Sequence, residues 1–172
     1  MKKSLLCFLS FVTFSLFAQN ATVSKLSYSE VVEVKAASAK ILNERATDFL
    51  QAKRMDVKTI PNAINSIGTL NVTYTSIKKG PESGYVKFTF RITIKDGKYK
   101  IEMSDFKHEG IQGKSSGGAI DLEKPECGET LITKSSWMTI KDQTPVLLKT
   151  FVQELKTKME NPAKATPANT DF

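Results

Sequence analysis

The longest period-two pattern in the chain lies at 85–105. Val86, Phe88, Phe90, Ile92 and Ile94 alternate with Tyr85, Lys87, Thr89, Arg91, Thr93 and Lys95, as expected of a strand with one face in a core and the other in water. Asp96-Gly97 follows and suits a type I′ turn, which needs positive φ at both central residues. A two-residue turn fixes the register. Ile94 then faces Tyr99, Ile92 faces Ile101 and Phe90 faces Met103 on the apolar side. Thr93 faces Lys100, Arg91 faces Glu102 and Thr89 faces Ser104 on the polar side. Two independent alternations fall into phase, and the hairpin is the firmest element the pattern predicts.

The flanking pattern supplies the rest. At 26–34, Leu26, Tyr28, Val32 and Val34 share one parity while Ser27, Ser29 and Glu33 take the other, which predicts a half-buried strand. Ser38 can accept from an orphan N–H at a helix start. Ile41, Leu42, Ala46, Phe49 and Leu50 then lie on one face of a helix expected to run to about Lys53. The stretch 57–64 is a weak strand, and Pro61 assigns it to an edge. A stronger strand at 68–77 puts Leu70, Val72 and Tyr74 on one side. Residues 79–84 read as a loop, from their Gly and Pro content. Periodicity disappears over 107–136, where five glycines occur and a long loop is predicted. A short strand at 131–140 would offer Trp137 and Ile140 for packing. A final helix capped by Thr144, with Pro145 at its first position, would bury Leu148, Phe151, Val152, Leu155 and Met159. Residues 161–172 are rich in Pro, Ala, Thr and Asn and read as a disordered tail.

The first eighteen residues differ from everything after them. Lys2 and Lys3 precede fourteen uncharged, mostly apolar residues ending at Ala18. That is the layout of a secretory signal peptide, and it is short of the ~20 residues that span a bilayer as a helix. Cleavage after Ala18 would leave 154 of the 172 residues as one α+β domain over 19–160 plus the tail. The expected location is periplasmic or extracellular, with no transmembrane helix in the mature chain. Removal of Cys7 would leave Cys127 alone, so the exported chain would have no internal disulfide. Its net charge would be +5, spread without any block of like charge. That balance suits mild attraction to anionic surfaces and lacks the concentrated footprint of a nucleic-acid binder.

Chemistry-bearing residues are sparse. His108, the single histidine, has Asp105 and Glu109 beside it but no second histidine, and it reads as a solvated residue at a strand end. Cys127 has acidic Glu126 next to it, which opposes thiolate formation. Gly113-Lys114-Ser115 lacks the glycine five positions earlier that a phosphate-binding loop requires. Asp105, Glu109, Asp121 and Glu123 form no spacing specific to hydrolysis. No catalytic residue, metal ligand or cofactor is predicted from this set.

Without the weak stretch around Pro61 the order is β-α-β-β-β-β-α, with two helices on one face of a curved antiparallel sheet. That order resembles a single TATA-binding-protein-like repeat. The opening Leu26-Ser-Tyr-Ser-Glu-Val-Val-Glu-Val34 with Ser38, the hairpin Ile92-Thr-Ile-Lys-Asp-Gly-Lys-Tyr-Lys-Ile101 and the following Ser104-Asp-Phe-Lys-His108 resemble a Bacteroidetes-type family of secreted proteins of unknown function described as having that fold. The resemblance implies a fold and export and brings no catalytic residues. It does not imply DNA binding, because the TATA-binding protein works through an apolar sheet face, whereas here that face carries Lys87, Thr89, Arg91, Thr93 and Lys100.

The expected function is therefore a non-enzymatic binding or interaction module of the bacterial cell envelope. The alternative is a hydrolytic enzyme with its site in the 107–136 loop. The polar hairpin face, with Tyr85, Lys87, Arg91, Lys98 and Lys100, is the candidate ligand-binding surface. Its expected partner is an anionic envelope component or another protein.

Overall fold

The hairpin is present in the predicted register. In the computed structural model, which describes residues 25–76, 80–111 and 115–160, strand β4 (Gly80–Lys95) pairs antiparallel with β5 (Lys98–Gly110). Ile94↔Tyr99, Ile92↔Ile101 and Phe90↔Met103 face each other on one side, and Thr93↔Lys100, Arg91↔Glu102 and Thr89↔Ser104 on the other. Gly97 adopts φ +74° in the turn but Asp96 stays at negative φ, so the register is the expected one while the turn is not the expected type I′. Around this hairpin, β1 (Tyr28–Glu33) pairs with β5, and β3 (Ala63–Ser76) pairs with β4. The short β2 (Lys58–Ile60) pairs with β3, and the two-residue β6 (Gly118–Ala119) pairs with β5. The sheet order is β1-β5-β4-β3-β2, with β6 beyond β1 on the same edge of β5.

Helix α1 (Ala39–Ala52) starts where expected, with the Ser38 hydroxyl accepting from the Ile41 N–H. It buries Leu42, Ala46, Phe49 and Leu50. Both helices cover the same sheet face, the one bearing Val86, Phe88, Phe90, Ile92, Tyr99, Ile101 and Met103. Phe151 of helix α2 (Lys134–Glu160) meets Phe49 of α1 and Phe88 and Phe90 of β4, with ring centroids 5.3, 5.5 and 5.9 Å apart. The architecture is thus α+β, a six-stranded antiparallel sheet with two helices on one side.

Three local readings are corrected. The expected strand at 131–140 is absent, because α2 begins at Lys134 rather than near Thr144. Thr133 caps it by accepting from the Ser136 N–H at 3.1 Å, and Trp137 and Ile140 are buried on its inner side. Pro145 lies inside this helix, where the Thr144 hydroxyl donates to the Ile140 carbonyl at 2.8 Å. Residues 80–84, expected as a loop, belong to β4. Pro81 is tolerated there because it stands at the strand's beginning. The irregular stretch is also shorter than 107–136, since β5 continues to Gly110. The predicted signal segment 1–18 and tail 161–172 lie outside the described residues.

Strand β5 carries one extra residue. Thr89 faces Ser104 but Lys87 faces Lys107, so Asp105 and Phe106 together oppose Phe88. Asp105 takes φ +57°, the left-handed conformation of a G1-type β-bulge. The bulge changes which parity points inward. Tyr99, Ile101 and Met103 are buried before it, Phe106 and His108 after it.

Opposite Phe88 on its other side is Gly68. A Cβ at Gly68 would stand 2.2 Å from Phe88 Cζ, so the glycine makes room for a ring that stacks on Phe106 at 5.6 Å. Gly68→Ala should therefore destabilise the fold by about 1–3 kcal/mol through overpacking. The cost should shrink in a Gly68→Ala, Phe88→Leu background. Urea unfolding of the four proteins in that cycle measures it, and strict additivity would mean the two residues do not share the space.

Candidate functional site

The sheet face away from the helices is open, and the register places its side chains in cross-strand rows. One row reads Ser29, Glu102, Arg91, Asn65 and Lys58 across β1, β5, β4, β3 and β2. The next reads Val31, Lys100, Thr93, Ala63 and Ile60. Neighbouring strands are about 4.8 Å apart, so charges two strands apart stand within reach of one small polyatomic ligand. A shallow groove of about 800 Å³ lies over these rows. Arg91, Lys100, Glu102, Asn65, Thr89 and Ser104 contribute to its lining.

The five predicted residues share this face but do not form one cluster. Arg91 and Lys100 line the groove. Tyr85 and Lys87 stand toward the far end of the hairpin, where the Lys87 ammonium contacts Glu109 at 2.6 Å and lies 5.5 Å from the Tyr85 ring centre. Lys98 sits beside the turn, opposite Lys95 on one side and Glu33 on the other. Carboxylates also interrupt the basic field. Lys100 donates to Glu102 at 2.6 Å, and Glu109 is held below its ordinary pKa by the hydrogen bond from Lys87. Arg91 has no ion-pair partner among the described residues. It is the groove cation left to meet an incoming anion, and its planar fork suits a carboxylate or phosphate. Among the lining residues, Glu102, Thr89, Thr93 and Ser104 were already placed by the hairpin register. Asn65 and Ser29 reach the groove only through the non-local pairing of β3 and β1.

His108 is a correction. Expected as a solvated strand-end residue, it has no exposed surface, because the Asp105 bulge turns it to the core face. Its Nδ1 accepts from the Gly117 N–H at 3.0 Å, fixing the entry to β6 against β5. The neutral ring therefore carries its proton on Nε2, and that atom has no hydrogen-bond partner among the described residues. Tyr74 and Trp137 pack edge-on against the imidazole, with centroids 5.3 and 6.2 Å away. A Cβ at Gly84 would lie 2.5 Å from Nε2, so that position admits only glycine without a shift. Burial lowers the His108 pKa to about 4, with Glu109 opposing. An imidazole sealed in this way is a packing element and is not presented to a substrate. Cys127 is half-buried, and burial raises its thiol pKa. Among the described residues no group of three or more His, Cys, Asp or Glu side chains converges as a metal site would require. No described helix is long and apolar enough to cross a membrane.

Comparison with known proteins agrees with this geometry. A family model described as "Domain of unknown function (DUF4468) with TBP-like fold" matches residues 28–109, from the first residue of β1 nearly to the end of β5. Two crystal structures are similar in fold. A DUF4468 family protein from Bacteroides ovatus shares 10% identity at a TM-score of 0.57, over 81% of this chain and 89% of that one. A TBP-like protein from Parabacteroides distasonis shares 17% identity at a TM-score of 0.59, over 81% of this chain and 95% of that one. These likenesses confirm the TBP-like fold expected from the sequence. No curated protein matches the chain.

The buried imidazole has a consequence for stability. An unfolded histidine titrates near 6.5 and His108 near 4, so between those values the unfolded chain binds more protons. Stability must then rise with pH across that window, by at most about 1.4 kcal/mol per pH unit, and the contribution is lost below it. Glu30, Asp105 and Glu109, whose pKa values are lowered by Lys156, Lys25 and Lys87 respectively, add a slope of the same sign, but below the ordinary carboxylate range. Urea midpoints measured from pH 5 to 7 should therefore climb in the wild type and flatten in His108→Gln. Equal slopes in the two proteins would refute this assignment.

Proposed function

We propose that the chain is an exported, non-enzymatic binding module of the bacterial cell envelope whose open sheet face holds an anionic partner. The observation that carries this reading is Arg91, a guanidinium standing in the groove without an ion-pair partner among the described residues, next to Lys100 and the neutral side chains Asn65, Thr89 and Ser104. Buried or folded ion pairs would have satisfied it; instead it faces solvent on a rigid central strand, where little conformational entropy is lost on binding. Export is supported by the signal-like segment 1–18. The hydrolase alternative loses its best candidate base, since His108 is enclosed by Gly84, Tyr74 and Trp137.

The reading predicts that Arg91→Ala, Lys100→Ala protein keeps its melting temperature, because neither side chain supports the core, and loses most of its retention on envelope fractions. Wild-type retention should fall between low and high salt, as screening weakens exposed charge pairs. Undiminished retention of the double variant would make the groove an ordinary solvated face. Intact mass of the exported protein should also begin near Gln19. A species starting at Met1 in the inner membrane would end the localisation proposal.

A further inference from the structure

The sheet's edges are treated unequally. At the β2 side the edge strand has three residues, followed at once by Pro61, and it carries exposed Lys58. Brevity, proline and lysine all discourage pairing with another strand. Beyond β2 the free edge of β3 is covered by α2. Gln143 makes two hydrogen bonds to the Thr73 backbone, at 3.1 and 2.6 Å, and the Ser136 hydroxyl donates to the Thr75 carbonyl. On the other side of the sheet, β1 is six residues long and contains no proline, lysine or bulge.

The backbone of β1 has a definite polarity. The Val34 N–H donates to the Gly97 carbonyl at 2.8 Å, in line with the β1–β5 register. In an antiparallel ladder alternate residues turn both backbone groups to the same neighbour. Tyr28, Glu30 and Val32 are thus spent on β5, and Ser29, Val31 and Glu33 direct theirs outward. No partner for these outward groups occurs among the described residues. Val31, at the centre, is also 60% exposed on the open face.

We propose that this edge pairs with the same edge of a second copy of the chain, two-fold related, with Val31 opposite Val31 of the partner subunit. The chemistry of the strand favours this occupant and this register. Around that centre Ser29 faces the partner's Glu33, Glu30 faces the partner's Val32, and Tyr28 faces the partner's Val34. No like charges are opposed, and the exposed valines cover each other. Shifting the centre to residue 30 would set Glu30 against its own copy, and shifting it to residue 33 would do the same with Glu33, both unfavourable. Only same-parity registers keep the open faces of both copies on one side. The pairing satisfies all the outward N–H and C=O groups of Ser29, Val31 and Glu33 in both chains. It rests on the fold and the edge and does not depend on the anion reading.

Sedimentation velocity over a micromolar to millimolar series, on the protein as purified from cells, tests it. The wild type should self-associate to a dimer. Val31→Lys and Val31→Glu should each keep the melting temperature and raise the dimer dissociation constant about tenfold or more, by opposing like charges at the centre. An equimolar mixture of the two variants should recover dimer, since Lys then faces Glu. A wild type that stays monomeric overturns the proposal, and protection of the Ser29, Val31 and Glu33 amides from exchange in such a monomer would show that another segment of the chain covers the edge. A Val31→Lys protein that dimerises like the wild type overturns it as well, and so do variants that fail to restore dimer when mixed.

Discussion

Strand β5 has to bury an apolar side in the core along its whole length, although its sequence changes parity in the middle. Tyr99, Ile101 and Met103 are odd-numbered, and Phe106 and His108 are even-numbered. A straight strand would send Phe106 and His108 into water and bring Asp105 and Lys107 into the core. The bulge at Asp105 absorbs one residue and keeps both halves facing inward. Its cost is a non-glycine residue at positive φ, for which Asp is among the better-tolerated types. The Asp105 carboxylate is held by Lys25 and Ser104, which lower its pKa to about 2. The stacking of Phe88 on Phe106, the need for Gly68 beneath Phe88, and the burial of His108 all follow from this single insertion.

Much of the fold was legible because the hairpin turn is local. The register of a two-residue Asp96-Gly97 turn is readable from the adjacent residues alone, and each pairing read from it is present. Ser38 was legible for the same reason, since capping depends on the next few residues. The misreadings have a different origin. Period-two alternation is lost at a bulge, so the expected strand stops near Asp105 and leaves His108 as a solvated strand-end residue, whereas β5 continues to Gly110 and buries it. The signal was available in Met103 and Phe106, two apolar residues three positions apart in a strand. At the start of α2, Pro145 was read as a first-turn residue because proline usually stands there. Thr133, Trp137 and Ile140 start the helix earlier, and packing against β3 overrides the local cost.

The open face was legible as a face and not as a site. Alternation gives which residues point away from the helices, and all five predicted residues do. Their distribution along the sheet depends on how β1 and β3 align with the hairpin, and on which carboxylates stand nearby. Lys87 is drawn to Glu109 and Lys100 to Glu102. Exposed pairs of this kind contribute little to stability, but they lower the local positive potential. What distinguishes Arg91 from Lys100, the other cation of the groove, is the absence of such a partner among the described residues, a property of three dimensions that no spacing rule contains.

The unpaired edge and the groove bear on each other through distance. In a sheet joined through β1, the Arg91 residues of the two copies are separated by five strand spacings across the sheet and four residues along it, roughly 28 Å in all at about 4.8 Å per strand and 3.4 Å per residue. Pairing uses only the backbone of Ser29, Val31 and Glu33, so the side chain of Ser29 remains in the groove lining and both grooves stay open on the same side. A small anion occupies one groove at a time and gains nothing from the partner copy. An extended polyanion long enough to reach both would bind the second intramolecularly, at the high effective concentration a connected ligand provides. The weak, carboxylate-interrupted field of one groove then ceases to be a disadvantage. Such a sheet would hold small anions loosely and reserve strong retention for ligands that present charge repeatedly over tens of ångströms.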